Sequence, residues 1–464
     1  MRRRQIDWFG VLAAGVLVTV CAQAPGQEVM TGQGLLAGEV TESSVILQTR
    51  LTLAESVLDG DVPGTRGVAC FELATNELFR AATRTEWLNA RAENDFIVKI
   101  KITGLQPGTL YYYRAWVGRH PKLAQTDVAR AFKTLPGAES DAPVKFVVGG
   151  AMNYRALQQE IAALPMQGNA RADLSMGYPA LRTLYRVRPD FYVAAGNSVF
   201  YDEPATEESM RRQWHVQFVL PRVTQFFSIV PAYWMRALEF GSSRREEAHS
   251  NSGEEGQSLL TSAATDWSVI ATRLFREQLP VTDPSATNAV TYRTHRVSRH
   301  LQLWLLDAWN HRESKKTLWG GAQREWLQRT LKESDAAFKV VVSPEPLIGV
   351  GGEEDKAHRQ EREEFFTWLK ENAIVPERVL FLSGGLPWQQ QVAHALGYEE
   401  LTCGPLHAEI AAPPAVSVAA KRLYASGRVQ GGYLEITCRA SELRAVFCDE
   451  LGKVMREVVR SGVQ

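Results

Sequence analysis

The side chains in this sequence with the right atoms for hydrolytic chemistry are carboxylates and imidazoles beside predicted strand ends: Asp202, Glu239, Asp307, His311 and His358. Such hard donors hold pairs of divalent ions, which clamp the oxygens of an ester and generate hydroxide. Their setting argues for plainer roles. Asp307 and His311 read as strand-end and loop residues, and Glu239 beside Arg236 as a surface charge pair. The nine histidines are scattered, and pairs such as His295/His300 and His394/His407 lack the intervals of a metal site. There is no Gly-x-Ser-x-Gly turn and no phosphate-cradling Gly-rich loop. Cys70, Cys403, Cys438 and Cys448 show no zinc spacing. Cys438 and Cys448 share a hairpin over residues 432–449 whose turn is placed at 440–442. They are therefore not cross-strand neighbours, and no indispensable disulfide is expected.

The elements that must position these residues begin at Val144, where strands start to alternate with helices. Residues 145–150, 190–196, 338–343 and 379–384 are buried-type strands. Residues 179–188, 323–334 and 360–372 are helical, and Trp326, Leu327, Thr330 and Leu331 line one side of the second helix. Residues 242–255 read as a polar loop. Ahead of this part, 30–135 reads as strands alone, with β-branched alternation at 45–51 and 97–102. A Pro107-Gly108 turn delivers the chain into Tyr111-Tyr112-Tyr113. This is similar to the corner of fibronectin type III domains where a tyrosine hydroxyl bonds back to the backbone, and Tyr111 is the expected corner residue. Residues 132–137 close this unit and 138–143 link it to the next.

Lys plus Arg equals Asp plus Glu at 52 each, so no net field draws the chain to nucleic acid or to an anionic membrane. At the N-terminus, Arg2-Arg3-Arg4, an apolar run from Trp8 to Val20, and Ala22 and Ala24 form the layout of a secretory signal peptide over 1–26. A retained anchor is the alternative. The run is short for a bilayer span, and no later stretch is apolar enough, so the mature chain is expected to be exported without a span.

These landmarks, in this order, resemble the PhoD-type alkaline phosphatase/phosphodiesterase family of metallophosphatases. The resemblance rests on Leu318-Trp319-Gly320-Gly321-Ala322-Gln323-Arg324-Glu325-Trp326-Leu327, on the segment from Ser334 to Pro344, and on Thr402-Cys403-Gly404-Pro405. It implies an α/β fold: an N-terminal fibronectin-III-like β-sandwich over 27–137, followed over 144–464 by a metallophosphatase-like α/β/β/α sandwich. The site would lie at the strand ends, and family members would hold Fe, Ca or similar divalent metals there.

The residues this chain places at the family's motifs lack the ligand atoms. A Ser-Cys strand end becomes Gly150-Ala151-Met152-Asn153, with a methyl group at Ala151 for the thiolate. Gly-Asp-x-x-Tyr becomes Gly196-Asn197-Ser198-Val199-Phe200, so the bridging carboxylate is an amide and the phenolate a phenyl ring. Asp-Asp-His after a Pro-x-Tyr strand falls in the stretch Ala237-Leu238-Glu239. Gly-Asp-x-His-Trp becomes Gly384-Gly385-Leu386-Pro387-Trp388, followed by Gln389. Gly-Arg-Asp-x-Arg becomes Ala308-Trp309-Asn310-His311-Arg312 and keeps only its last arginine. The expectation is a pseudophosphatase without catalytic residues or a metal cofactor, acting by binding or scaffolding. Ala151, Asn153, Asn197, Phe200, Ala237, Leu238, Glu239, Trp309, Arg312, Gly385, Pro387, Trp388 and Gln389 would form the remnant pocket, open to a phosphorylated or glycan ligand. The alternative is an active hydrolase whose site is rebuilt from the carboxylates and imidazoles named first.

Overall fold

The computed structural model describes residues 29–201, 206–236, 269–286, 289–313, 316–349, 356–407, 413, 415–416, 420–426 and 431–462. The segment 1–26 expected to be a signal peptide, the expected loop at 242–255, Asp202, Ala237, Leu238 and Glu239 lie outside these residues.

The strands of the α/β part form in runs buried along their whole length, as in Phe191–Ala194, Phe338–Ser343 and Val379–Ser383. Such runs suit sheets covered on both faces. One sheet has nine strands in the order Val454–Ser461, Glu442–Asp449, Gly432–Arg439, Val144–Gly149, Phe191–Ala194, Ala232–Trp234, Leu35–Gly38, Ser44–Arg50, Ile97–Thr103. A second has seven: Arg293–Arg296, Leu301–Leu305, Phe338–Ser343, Val379–Ser383, Glu399–Thr402, Gln389–His394, Ala420–Ser426. Phe146, Val148 and Val193 of the first sheet meet Leu303, Val340 and Leu382 of the second in one core. The outer face of the first sheet, with Val147 and Tyr192, is covered by helices Tyr154–Ala163, Pro179–Val187, Glu207–Phe218, Pro221–Phe227 and the helical stretch 269–278. Helices Gly320–Glu333 and Lys356–Glu371 cover the second sheet, packing Trp319, Leu327, Phe365 and Phe366 on Val341 and Phe381. The layers are therefore α/β/β/α.

The small sandwich leans on this body through a shared sheet. Its front strands, Leu35–Gly38, Ser44–Arg50 and Ile97–Thr103, continue the nine-stranded sheet, with Gly38 paired to Ala232. The back sheet is built on Gly67–Ala74 and Leu110–Gly118. The Tyr111 hydroxyl accepts a hydrogen bond from Gln106 N at 2.9 Å, the expected corner. Tyr113 donates to Ser228 O at 2.9 Å, reaching into the α/β part. The connecting segment is docked as well: Gly137 N donates to Val297 O at 3.0 Å and Arg299 N to Ser140 O at 3.0 Å.

In the C-terminal hairpin Cys438 faces Leu443 and Cys448 faces Tyr433, and all four described cysteines are buried free thiols. Burial pushes the Cys403 and Cys438 thiols up to about 12. No helix among the described residues is long and apolar enough to cross a membrane.

Candidate functional site

Strands Val144–Gly149, Phe191–Ala194 and Ala232–Trp234 run parallel, as do Leu301–Leu305, Phe338–Ser343, Val379–Ser383 and Glu399–Thr402 in the other sheet. Chain segments leaving both sheets meet main chain to main chain. A Cβ on Gly384 would lie 2.0 Å from Ala195 O, and one on Gly150 2.3 Å from Gly404 O. Backbone hydrogen bonds complete the junction. Ala151 O accepts from Leu406 N at 2.9 Å and His407 N at 3.3 Å, Asn153 N donates to His407 O at 3.2 Å, and Met152 N donates to Asn197 O at 3.0 Å.

The side chains around this junction are largely engaged in structural roles. Ala151 is half-buried, and Asn153 Oδ1 caps helix Tyr154–Ala163 by accepting from Ala156 N at 3.0 Å. Asn197 is buried and Phe200 half-buried, while Tyr201 accepts from Trp214 Nε1 at 2.9 Å. Gln389 is turned inward, its amide donating to Cys448 O at 2.8 Å. Gly385 holds a φ of 73°, where a Cβ would sit 2.7 Å from Pro344 O. Pro387 and Trp388 are half-buried, and Trp388 Nε1 donates to Gln390 Oε1 at 3.1 Å. Arg312 stacks 5.4 Å over Trp309 and reaches Glu345 at 3.2 Å and His358 Nδ1 at 3.4 Å.

One sequence expectation needs correcting. Arg236 is not a surface residue: it is 5% exposed, and Nη1 donates to Thr272 and to Asn310 Oδ1 at 2.6 Å. The reason is the local polar network. Asp307, 1% exposed, accepts from Trp309 N and Asn310 N at 2.9 Å and from Thr291 and the Asn310 amide. It organises the loop that presents Asn310 to Arg236. His311 packs edge-on to Tyr292 at 5.0 Å, and His358 Nε2 lies 3.0 Å from Glu313 O.

Residues 18–136 match the family model of the PhoD-like phosphatase N-terminal domain. The solved structure of PhoD has a TM-score of 0.71 to this protein at 17% identity, covering 95% of this chain and 92% of that one. The chain thus carries a segment like that family's N-terminal domain and shares the fold of PhoD. The purple acid phosphatase PPD1 from seeds of yellow lupin (Lupinus luteus) is also similar, with a TM-score of 0.56 at 12% identity over 92% of this chain and 73% of that one. At such identities the likeness to PhoD and to the lupin enzyme is one of fold, and activity must be argued from the site. No curated protein sequence matches the chain.

The described strand-end residues of this chain do not fit a pair of divalent metals. A methyl, an amide, a phenyl ring, a glycine and a proline stand at Ala151, Asn197, Phe200, Gly385 and Pro387. None offers an anionic oxygen, a thiolate or an imidazole. Among the described residues no group of three or more His, Cys, Asp or Glu is placed to hold a metal ion.

Sequence reasoning missed His407 at this junction. It lies two residues beyond the Cys403-Gly404-Pro405 segment, and following that segment onward would have found it. Burial pushes its imidazole down to about 4. Glu160, whose carboxyl burial pushes up, lies 3.1 Å from Nε2 without hydrogen-bond alignment. Burial thus disfavours the charged form of both side chains.

Proposed function

We propose that this PhoD-like protein is an exported pseudophosphatase, working by binding or scaffolding rather than by hydrolysis. The observation that carries the reading is the chemistry of the strand ends. Ala151, Asn197, Phe200, Gly385 and Pro387 supply no anionic or imidazole ligand where the PhoD resemblance calls for thiolate, carboxylate, phenolate, carboxylate and imidazole. Two dications brought together without anionic ligands would repel each other with little to offset it. Export is supported by the charged, apolar and small-residue order of residues 1–26.

The same surface supports binding. Trp309, Arg312 and Trp388 bring aromatic faces and a guanidinium to the half-buried rim. A phosphorylated or glycan ligand suits them, because arginine bonds phosphate oxygens in pairs and indole faces stack on sugar rings. The decisive test is metal content by elemental analysis of the purified mature chain after incubation with Fe, Ca, Zn and Mn, alongside turnover of a generic phosphodiester. The expected result is metal far below one per chain and no turnover. One or two tightly held ions per chain with turnover would overturn the reading.

A further inference from the structure

Away from the strand ends, a cluster of buried charges joins the small sandwich to the helical layer. His215 of helix Glu207–Phe218 is 4% exposed and lies between two carboxylates, Nδ1 at 2.8 Å from Asp61 Oδ1 and Nε2 at 2.7 Å from Asp95 Oδ2. Both carboxylates belong to the sandwich. Arg50 of strand Ser44–Arg50 faces the same cluster, with Nη2 2.9 Å from Asp95 Oδ1 and Nη1 2.7 Å from Val62 O. From the helical stretch 269–278, the Gln278 amide donates to Asp95 Oδ2 at 2.7 Å and to Glu277, and Glu277 is paired with Arg211 of the His215 helix.

A neutral imidazole has one N–H and one lone pair, so it can satisfy one of the two carboxylates and must repel the other. Both contacts are hydrogen bonds to ionised carboxylates only when both ring nitrogens carry protons. The carboxyls agree. Burial opposes ionisation at both, yet the hydrogen bond and charge of His215, with Arg50, prevail, bringing Asp95 down to about 2 and lowering Asp61. If the proton leaves, the two carboxylates are not equally held. Asp95 keeps Arg50 and Gln278. Asp61 has a side chain 41% exposed and a bond from Val62 N at 2.7 Å, on the loop that joins strands Ser44–Arg50 and Gly67–Ala74.

We propose that His215 is a proton-operated latch: as the imidazolium it clasps Asp61 and Asp95, and on losing its proton it releases the Asp61 loop from the helical layer.

The test uses the full chain. Hydrogen exchange of the peptide covering 54–64, corrected for intrinsic rate, is followed as pH rises while the ring 15N shifts of His215 report its protonation. A charge-assisted hydrogen bond of this kind predicts a loss of protection of about tenfold as the ring deprotonates. Asp61→Asn keeps the Asp95 contact and should show the high-pH exchange level throughout, without the pH step. His215→Gln should do the same. A ring that is neutral while the loop stays protected, or a protection step that survives in Asp61→Asn, overturns the latch.

Discussion

At position 197 an amide stands where the resemblance to PhoD calls for a bridging carboxylate, and its burial makes it a test of whether the old chemistry can return. Asn197→Asp would place a carboxylate in a buried site. The expected cost at neutral pH is about 1–3 kcal/mol. Because such a carboxyl has a raised folded pKa, the cost should fade in acid and grow as pH rises, which urea midpoints in mildly acidic and mildly alkaline buffer would show. If added divalent metal raised the midpoint, the restored carboxylate would have rebuilt a metal site at the strand ends. Glu400 illustrates the same electrostatics already in place. It is buried, and desolvation raises it to about 7 although Leu347 N and Ile348 N bond its oxygens at 3.0 and 2.7 Å. In the unfolded chain it titrates at about 4.3, so the unfolded state loses its proton first. Stability from this group is therefore full in acid and lost as pH rises toward about 7, by on the order of 3 kcal/mol. Glu400→Gln should remove that slope from thermal midpoints measured across this range; an unchanged slope would assign it to other groups.

Among the elements, the junction between sheets is the most sterically demanding. Gly384→Ala would push a methyl against the Ala195 carbonyl, which is backbone and cannot swing aside. A loss of about 3 kcal/mol or more in denaturant unfolding is expected; a neutral result would mean that the two strand ends move freely against each other. Lys99 does comparable work between sandwich and helix. Its ammonium donates to the carbonyls of Arg276 and Leu279 at 2.7 and 2.6 Å, closing the end of the helical stretch 269–278. Lys99→Met should cost about 2 kcal/mol and raise hydrogen exchange in that stretch before the rest of the chain; uniform exchange would show that the cap is not its local anchor. The sequence made the elements themselves legible. Leu327 and Leu331 at helical spacing are the buried face of Gly320–Glu333, and Tyr111 after its Pro-Gly turn does bond back to Gln106. Its blind spot was tertiary. Nothing in the spacing of Asp61, Asp95 and His215 hints that three separate elements bring them together, and Arg236 looked like a surface residue because its partner Asn310 is remote in the chain.

At the scale of the whole molecule, two units distinct in sequence pattern share one sheet. Composition changes at Val144, where helices begin, but hydrogen-bonded pairing runs on from Ala232 to Gly38. Removing the first 137 residues would bare the edge strand Ala232–Trp234 and strip Lys99 from its helix. The truncated chain should aggregate or elute as large oligomers on size exclusion, whereas a well-behaved monomer would mean that the shared sheet contributes little. The intact protein should unfold in one transition. Pairing between segments remote along the chain also sets an order of events in time. Strand Val144–Gly149 pairs with Gly432–Arg439, and Leu35–Gly38 with Ala232–Trp234, so early-made strands must wait for much later ones. Contacts so remote along the chain close slowly. Most of the polypeptide must emerge before this sheet can be completed, because strand Val144–Gly149 gains its antiparallel neighbour only when Gly432–Arg439 takes its place.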